Sequence, residues 1–401
     1  MKLKGGAFYY AIFLMIIVGI LLSMLIVMKS AHQKVRTVSE ANFQLVHANE
    51  QGINYGLYYF DDLSFQEKKL DFLGNEIELR VSKSNWGFLQ ILNSRSIFKN
   101  DTLTQSYFVT RKKPFQRVLY LSEQLEPLKI SGNTEINGDC SLPSLGYRFH
   151  TFSNYETNNS FINGNVFQAG TELPTLNIAT LKNTDFPISK TIDEYPPKLN
   201  NSFSKNTLHI LATSVSILDN LDYEGKIEIE SNDTLFIRNT CRFKDVIIKA
   251  PKVVIEKGFV GNMQVFATNE IIVENDVQLL YPSVLYVDTE SQQKSKIVLN
   301  PNSLVIGAVI TNGSVLSDAT IFLEPESRIA GDVYSINKLS LQGEVSGCVT
   351  THKFYLKTPT SVYHNIIRNG KINRNLPDGF YSILNIGGNA TNHKYEKMRI
   401  L

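Results

Sequence analysis

The sequence is poor in the residues that usually carry chemistry. Cysteine occurs three times in 401 residues, at Cys140, Cys241 and Cys348, too few and too scattered for a disulfide framework. Cys241 and Cys348 are expected not to pair, and Cys140 is expected to be free. There is no CxxC and no HExxH, and the seven histidines are dispersed, each reading as structural or surface. No metal or cofactor site is therefore signalled. An excess of one charge is also missing: 40 basic against 38 acidic residues leave a net charge of +2. That balance excludes a strongly basic surface, and no nucleic-acid partner is expected. The β-rich half has no Asp-Asp pair and no Gly-His-Gly. Its Asp233, Asp245, Asp276 and Asp318 stand singly and read as solvated corner residues rather than an acid–base pair. The chain is not expected to be an enzyme.

What is present begins with one long apolar run. Ala7 to Met28 contains no charge over 22 residues. As a helix it is roughly 33 Å long, enough for a bilayer core of about 30 Å. A secretory signal has a shorter apolar region and a small-x-small cleavage site, which Lys29-Ser30-Ala31-His32 does not offer. Residues 7–28 are read as a transmembrane helix in contact with lipid. Lys2 and Lys4 on one side face Lys29, Lys34 and Arg36 on the other, so charge does not fix the orientation. Residues 29–50 lack Pro and Gly and extend the helix, with Val35, Val38, Phe43 and Val46 as an apolar face and Gln51-Gly52 as the stop.

Residues 51–127 change to a period of two. The segments 76–82, 86–93, 106–112 and 117–122 read as strands of a small antiparallel sheet, punctuated at Asn85, Asn93-Ser94 and Asn100-Asp101. The aromatic cluster there (Tyr58, Tyr59, Phe60, Trp86, Phe88) reads first as the core of that sheet and second as a sugar-stacking platform.

From 128 to 356 short units recur. One is aliphatic-x-Gly, at Ile136-Asn-Gly138, Ile162-Asn-Gly164, Phe259-Val-Gly261, Val305-Ile-Gly307, Ile329-Ala-Gly331 and Val345-Ser-Gly347. The other is a three-residue β core before a polar turn, ending in Ile237, Ile255, Val273, Leu299, Leu323 and Leu341, at steps of 18, 18, 26, 24 and 18. Near-fixed spacing predicts a parallel β-helix, a solenoid with these six residues stacked in its core; an antiparallel sandwich is the alternative. The fold class is thus mainly β: a transmembrane helix, a small antiparallel sheet, then the β-helix. Residues 178–207 read as an inserted loop, and 357–401 as a C-terminal cap and tail. Glu256, Glu274 and Glu324 share one register, as an outward polar face or a weak cation site.

The N-terminal layout, MKLKGG and then an immediate apolar helix, resembles type IV pilin-like proteins, above all minor pilins and pseudopilins. That resemblance implies that residues 1–6 are a short basic leader cleaved at Gly5 or Gly6. The family's Glu at the fifth mature position is replaced here by Tyr10 or Ala11. The repeats of about 205–356 resemble bactofilins, polymer-forming bacterial β-helices. The resemblances imply a single-pass protein of the bacterial inner membrane, most of it periplasmic or extracellular. It would be a non-enzymatic minor subunit of a surface filament or secretion apparatus, with other pilin-like or envelope assembly proteins as partners. A bactofilin-like membrane scaffold is the first alternative. A polysaccharide-binding or polysaccharide-cleaving β-helix is the second.

Overall fold

The structure, a computed structural model, describes residues 6–70, 77–111, 117–152, 157–176, 178, 189–212, 216–289, 294–314, 316–384 and 395–401. Strands make up 53 % of the described residues, so the fold is mainly β, with one long apolar helix at the N-terminal end. It divides into two units, residues 1–82 with 93–105, and residues 83–92 with 106–401.

In the first unit one helix runs from Gly6 to Tyr58. It is long and apolar enough to cross a membrane, and its most apolar window has no buried residue. The helix passes the expected stop at Gly52 because that glycine is a packing position. A Cβ there would sit 2.5 Å from Ser94 Oγ and 2.9 Å from Leu79 Cδ1. The buried face is Leu45, Ala48, Asn49, Gly52 and Ile53, an i, i+3, i+4, i+7, i+8 stripe. The face expected from sequence is different: Val35, Val38, Phe43 and Val46 are all exposed. Leu45, Ile53, Leu79 and Val81 are all buried in this unit, and polar Asn49 is buried with hydrogen bonds of its own. Its Nδ2 donates to Ser96 Oγ (2.9 Å) and Leu103 O (2.8 Å). Valines spaced for a helix face misled the reading because the true face uses Ala, Asn and Gly.

A five-stranded antiparallel sheet orders Lys68–Leu70, Ile77–Trp86, Leu89–Phe98, Asp101–Arg111 and Tyr395–Ile400. Its hairpins turn at Gly87-Phe88 and Lys99-Asn100, with Gly87 at φ +57 and Lys99 at φ +54. Asn85 and Asn93-Ser94, expected as turns, lie within strands. The C-terminal tail contributes the last strand, so it does not simply fray.

The second unit holds a sheet of 22 strands, parallel except for the antiparallel pairing of Val362–His364. One register links Leu218, Ile237, Ile255, Val273, Leu299, Leu323 and Leu341. A second links Leu279, Val305, Ile329, Val345, Ile372, Ile136 and Ile162. A third runs Ile210, Ile229, Ile248, Val265, Leu285, Val309, Val333, Val349, Leu119, Cys140 and Val166. Side chains of one register meet those of the next along the stack, and most are fully buried. Strands Val260–Val273, Lys294–Leu299, Asp318–Leu323, Arg328–Leu341, Leu304–Gly313 and Gln278–Thr289 pair in a closed ring of six, with further strands attached. The two longest of them span more than one register, Val260–Val273 through Val265 and Val273, and Arg328–Leu341 through Ile329, Val333 and Leu341.

Stacking order differs from chain order. The expected start near residue 128 is not an end of the stack: Val349 pairs with Leu119, so the strands from 119 to 168 continue beyond those of 344–373. The segment expected as an inserted loop, 178–207, carries the strands Ser189–Thr191 and Lys198–Asn201, both paired in parallel with later strands. Its residues 179–188 lie outside the described residues, as does Gly5. The tail expected as a cap supplies Ile366–Arg368 and Lys371–Asn373 to the parallel strands.

The longer steps of 26 and 24 residues add six residues each between the strands that end at Thr289 and Gly313 and the strands that follow, and the step of 26 adds two more at the register shift between Leu279 and Ser283. The corner after the first register repeats another geometry. Gly258, Asp276, Asn302 and Glu326 all adopt positive φ, between +60 and +79. Gly, Asn and Asp bear that conformation at least cost, which is why this corner reads EKG, END and NPN.

Candidate functional site

The features with functional content are the exposed half of the helix, the register residues of the parallel strands, and a few polar clusters on the outside of those strands. The helix from Phe8 to Met28 exposes nearly all of its large apolar side chains. In water such a surface is far larger than a soluble protein tolerates, and in lipid it is satisfied. Gly6, one of the two expected leader-cleavage positions, is the first described residue and is already helical.

The six expected core residues, Ile237, Ile255, Val273, Leu299, Leu323 and Leu341, lie in one parallel register and are buried. Five of the six aliphatic-x-Gly units, at Ile136, Ile162, Val305, Ile329 and Val345, lie in the second register with Leu279 and Ile372. Gly307, Gly331 and Gly347 are stacked in register at φ +146 to +152. A Cβ on Gly331 would run into the carbonyl oxygen of Gly307, and one on Gly347 into that of Gly331. Here glycine is required by close backbone approach.

The carboxylates are engaged locally. Glu256 Oε2 accepts the backbone N–H of Asn239 (3.1 Å), and Glu274 Oε2 accepts that of Lys257 (2.9 Å). Glu256 and Glu274 therefore each clamp the polar turn that follows the neighbouring strand. Asp276 lies 3.4 Å from Lys257 Nζ, and Asp318 pairs with Lys338. Asp245 departs from its expected role as a solvated corner. It is buried, accepts from Asn262 Nδ2 (3.1 Å) and pairs with Arg399 of the last strand. Its main-chain oxygen accepts from Trp86 Nε1 at 2.7 Å. Arg399 is 154 residues away, so no local pattern could have announced the pair.

Trp86 and Phe88 are buried in an apolar cluster with Ile247, Val284 and Tyr286. Gln264 holds this hairpin tip by accepting from Phe88 N (2.9 Å) and donating to Trp86 O (2.7 Å). Tyr58 and Tyr59 are exposed, while Phe60 is buried. The cysteines are free. Burial, helped by Asp139, pushes the Cys140 thiol up to about 12, so it is inert as a nucleophile near neutral pH. Burial likewise raises the Tyr281 phenol.

The histidines, dispersed in sequence, include one with acidic neighbours. His209 Nε2 lies 2.7 Å from Glu230 Oε2 and 3.8 Å from Glu228 Oε1. The three come from two adjacent parallel strands, with His209 paired to Glu228. An HxL…ExE pattern 19 residues apart is a signal only once the register is known.

No family profile, no curated protein and no solved structure matches this chain.

Proposed function

We propose that the chain is a membrane-anchored structural subunit, non-enzymatic, that joins a larger envelope assembly as a minor pilin-like part. The observation that carries this reading is the unbroken helix Gly6–Tyr58, whose apolar half is exposed and whose second half packs as a folded element. A simple tether needs only the first half. In this reading residues 7–28 lie in the inner membrane, residues 1–6 are a leader on its cytoplasmic side, and the β units are periplasmic or extracellular. Because Tyr10 or Ala11 replaces the expected Glu, the chain joins an assembly begun by other pilin-like proteins. The parallel strands are, in this reading, a β-helix. Supporting it are three continuous registers and the recurring corner at Gly258, Asp276, Asn302 and Glu326.

The test is N-terminal sequencing of protein extracted from its host's membranes. A start at Gly6 or Ala7, lost when Gly5 and Gly6 are both replaced by bulky residues, is expected. A mature protein that retains Met1 rejects the leader and leaves the second reading.

That second reading is a bactofilin-like scaffold that polymerises through its parallel strands. It draws on the strands Phe161–Asn163 and Val166–Gln168 at the end of two registers, where Phe161, Val166 and Phe167 are 42–44 % exposed. An exposed apolar edge is a template for pairing. If Val166→Lys abolishes high-mass assemblies of the detergent-solubilised chain, the scaffold reading gains. If such assemblies do not form, it fails.

A further inference from the structure

We propose that His209, Glu228 and Glu230 form a binding site for a divalent first-row transition-metal ion, zinc being the ion whose chemistry they fit best. Strands Leu208–Leu211 and Ile227–Glu230 pair in parallel, which sets His209 beside Glu228 and Leu211 beside Glu230. Ile210 and Ile229 point into the core, so the three polar residues lie together on the outer face. One ligand atom from each falls within 4.8 Å of the others. Tetrahedral zinc with N and O ligands at about 2.0–2.2 Å needs ligand atoms about 3.4 Å apart. The distances of 2.7 and 3.8 Å from His209 Nε2 to the two carboxylates bracket that value.

Burial makes this more than a surface trio. The side chains of His209 and Glu228 are 9 % and 5 % exposed, while that of Glu230 is 43 % exposed. Glu228 Oε1 is buried and accepts no hydrogen bond. Its charge is met by Lys249 Nζ, which approaches to 2.6 Å from the next strand without hydrogen-bond geometry. A carboxylate removed from water needs a cation. Lys249 is 31 % exposed at its side chain and can swing into solvent when an ion takes its place. Imidazole with two carboxylates is a borderline donor set that suits zinc, whereas calcium and magnesium take all-oxygen sites. The Glu230 side leaves a fourth position to water.

The ammonium of Lys249 and the metal ion compete for one carboxylate, and this gives the proposal a signature that an ordinary ion-pair network lacks. The full chain, solubilised in detergent and treated with chelator, is titrated with zinc by calorimetry. One ion per chain is expected, with affinity reduced more than about tenfold by His209→Ala and by the near-isosteric Glu228→Gln. Lys249→Met is expected to tighten binding, and zinc should raise the melting temperature of the wild type and of this variant. Circular dichroism of each variant separates lost binding from lost fold. No stoichiometric zinc binding by either the wild type or Lys249→Met overturns the proposal. So does binding that survives His209→Ala.

Discussion

The antiparallel sheet and the parallel strands bury the same kinds of residue but fix their registers by different means. In the antiparallel sheet two-residue turns at Gly87-Phe88 and Lys99-Asn100 place the three long strands side by side and make their register a local matter, while only the last strand, with Tyr395 opposite Arg111, joins from far along the chain. Parallel partners mostly lie 15 to 27 residues apart along the chain, and 230 apart where Val349 meets Leu119. No turn can specify that. Register must come from inward side chains, from stacked glycines and from polar clamps such as Glu274 on the Lys257 amide. The lesson is that single contacts should matter more in the parallel strands, and that the outward face should be more forgiving than the inward one.

The largest expected effect breaks this rule most directly. Ile255→Asp places a carboxylate between Ile237 and Val273 in a dry register. It should cost several kcal/mol. Phe236→Asp, beside Ile237 on the neighbouring strand and outward at 43 % exposure, should cost less than about 1 kcal/mol. Denaturant melting of the detergent-solubilised chain compares them. Equal midpoints would mean that inward and outward are wrongly assigned.

Glycine sharpens the same comparison. Gly331→Ala meets both φ +146 and the carbonyl oxygen of Gly307, so a cost of about 3 kcal/mol is expected. Gly146→Ala has φ +64 but open space around the new methyl, and should cost about 1 kcal/mol. If the two variants melt alike, close approach is not what keeps the glycines in the stack.

Much of the parallel part was legible in the sequence because its chemistry is periodic. The residues Ile237 to Leu341 recur at a near-fixed spacing and share one parallel register, and Gly307, Gly331 and Gly347 stack in another. What was not legible involves strands stacked out of chain order or partners far apart. Nothing near Leu119 or Cys140 says that they follow Val349. The helix face was misread because Asn49 and Gly52 are buried through hydrogen bonding and close packing, which hydrophobic spacing does not register. His209, Glu228 and Glu230 met the same obstacle: they are neighbours only across a parallel register.

A smaller effect tests how the hairpin tip is held. Gln264→Ala removes the acceptor of Phe88 N–H and the donor to Trp86 O, both in a buried setting. About 2 kcal/mol is expected. Because Trp86 is the only tryptophan, its fluorescence reads this site alone. The emission should shift to the red before global melting. An unshifted spectrum would mean that the apolar cluster, rather than Gln264, fixes the tip.

The smallest expected effect concerns the outward charged column. Lys252, Glu270 and Lys296 are consecutive in register, and Glu270 lies 2.7 and 2.6 Å from the two ammonium groups. Burial alone would raise the Glu270 carboxyl, but hydrogen bonds from Lys252 and Lys296 outweigh it and hold the group below its ordinary value. A carboxyl whose folded value is depressed stabilises the fold above its unfolded value, about 4.3. That contribution is lost as the pH falls through the folded value. The lysines are 36 % and 48 % exposed, so water and salt screen the pairs. Glu270→Gln should therefore cost only about 1 kcal/mol at pH 7. The gap between wild type and variant should narrow as the pH drops below about 4 and as salt is added. A gap that persists at low pH would show that Glu270 works through shape or neutral hydrogen bonding, and that charge adds nothing to the register.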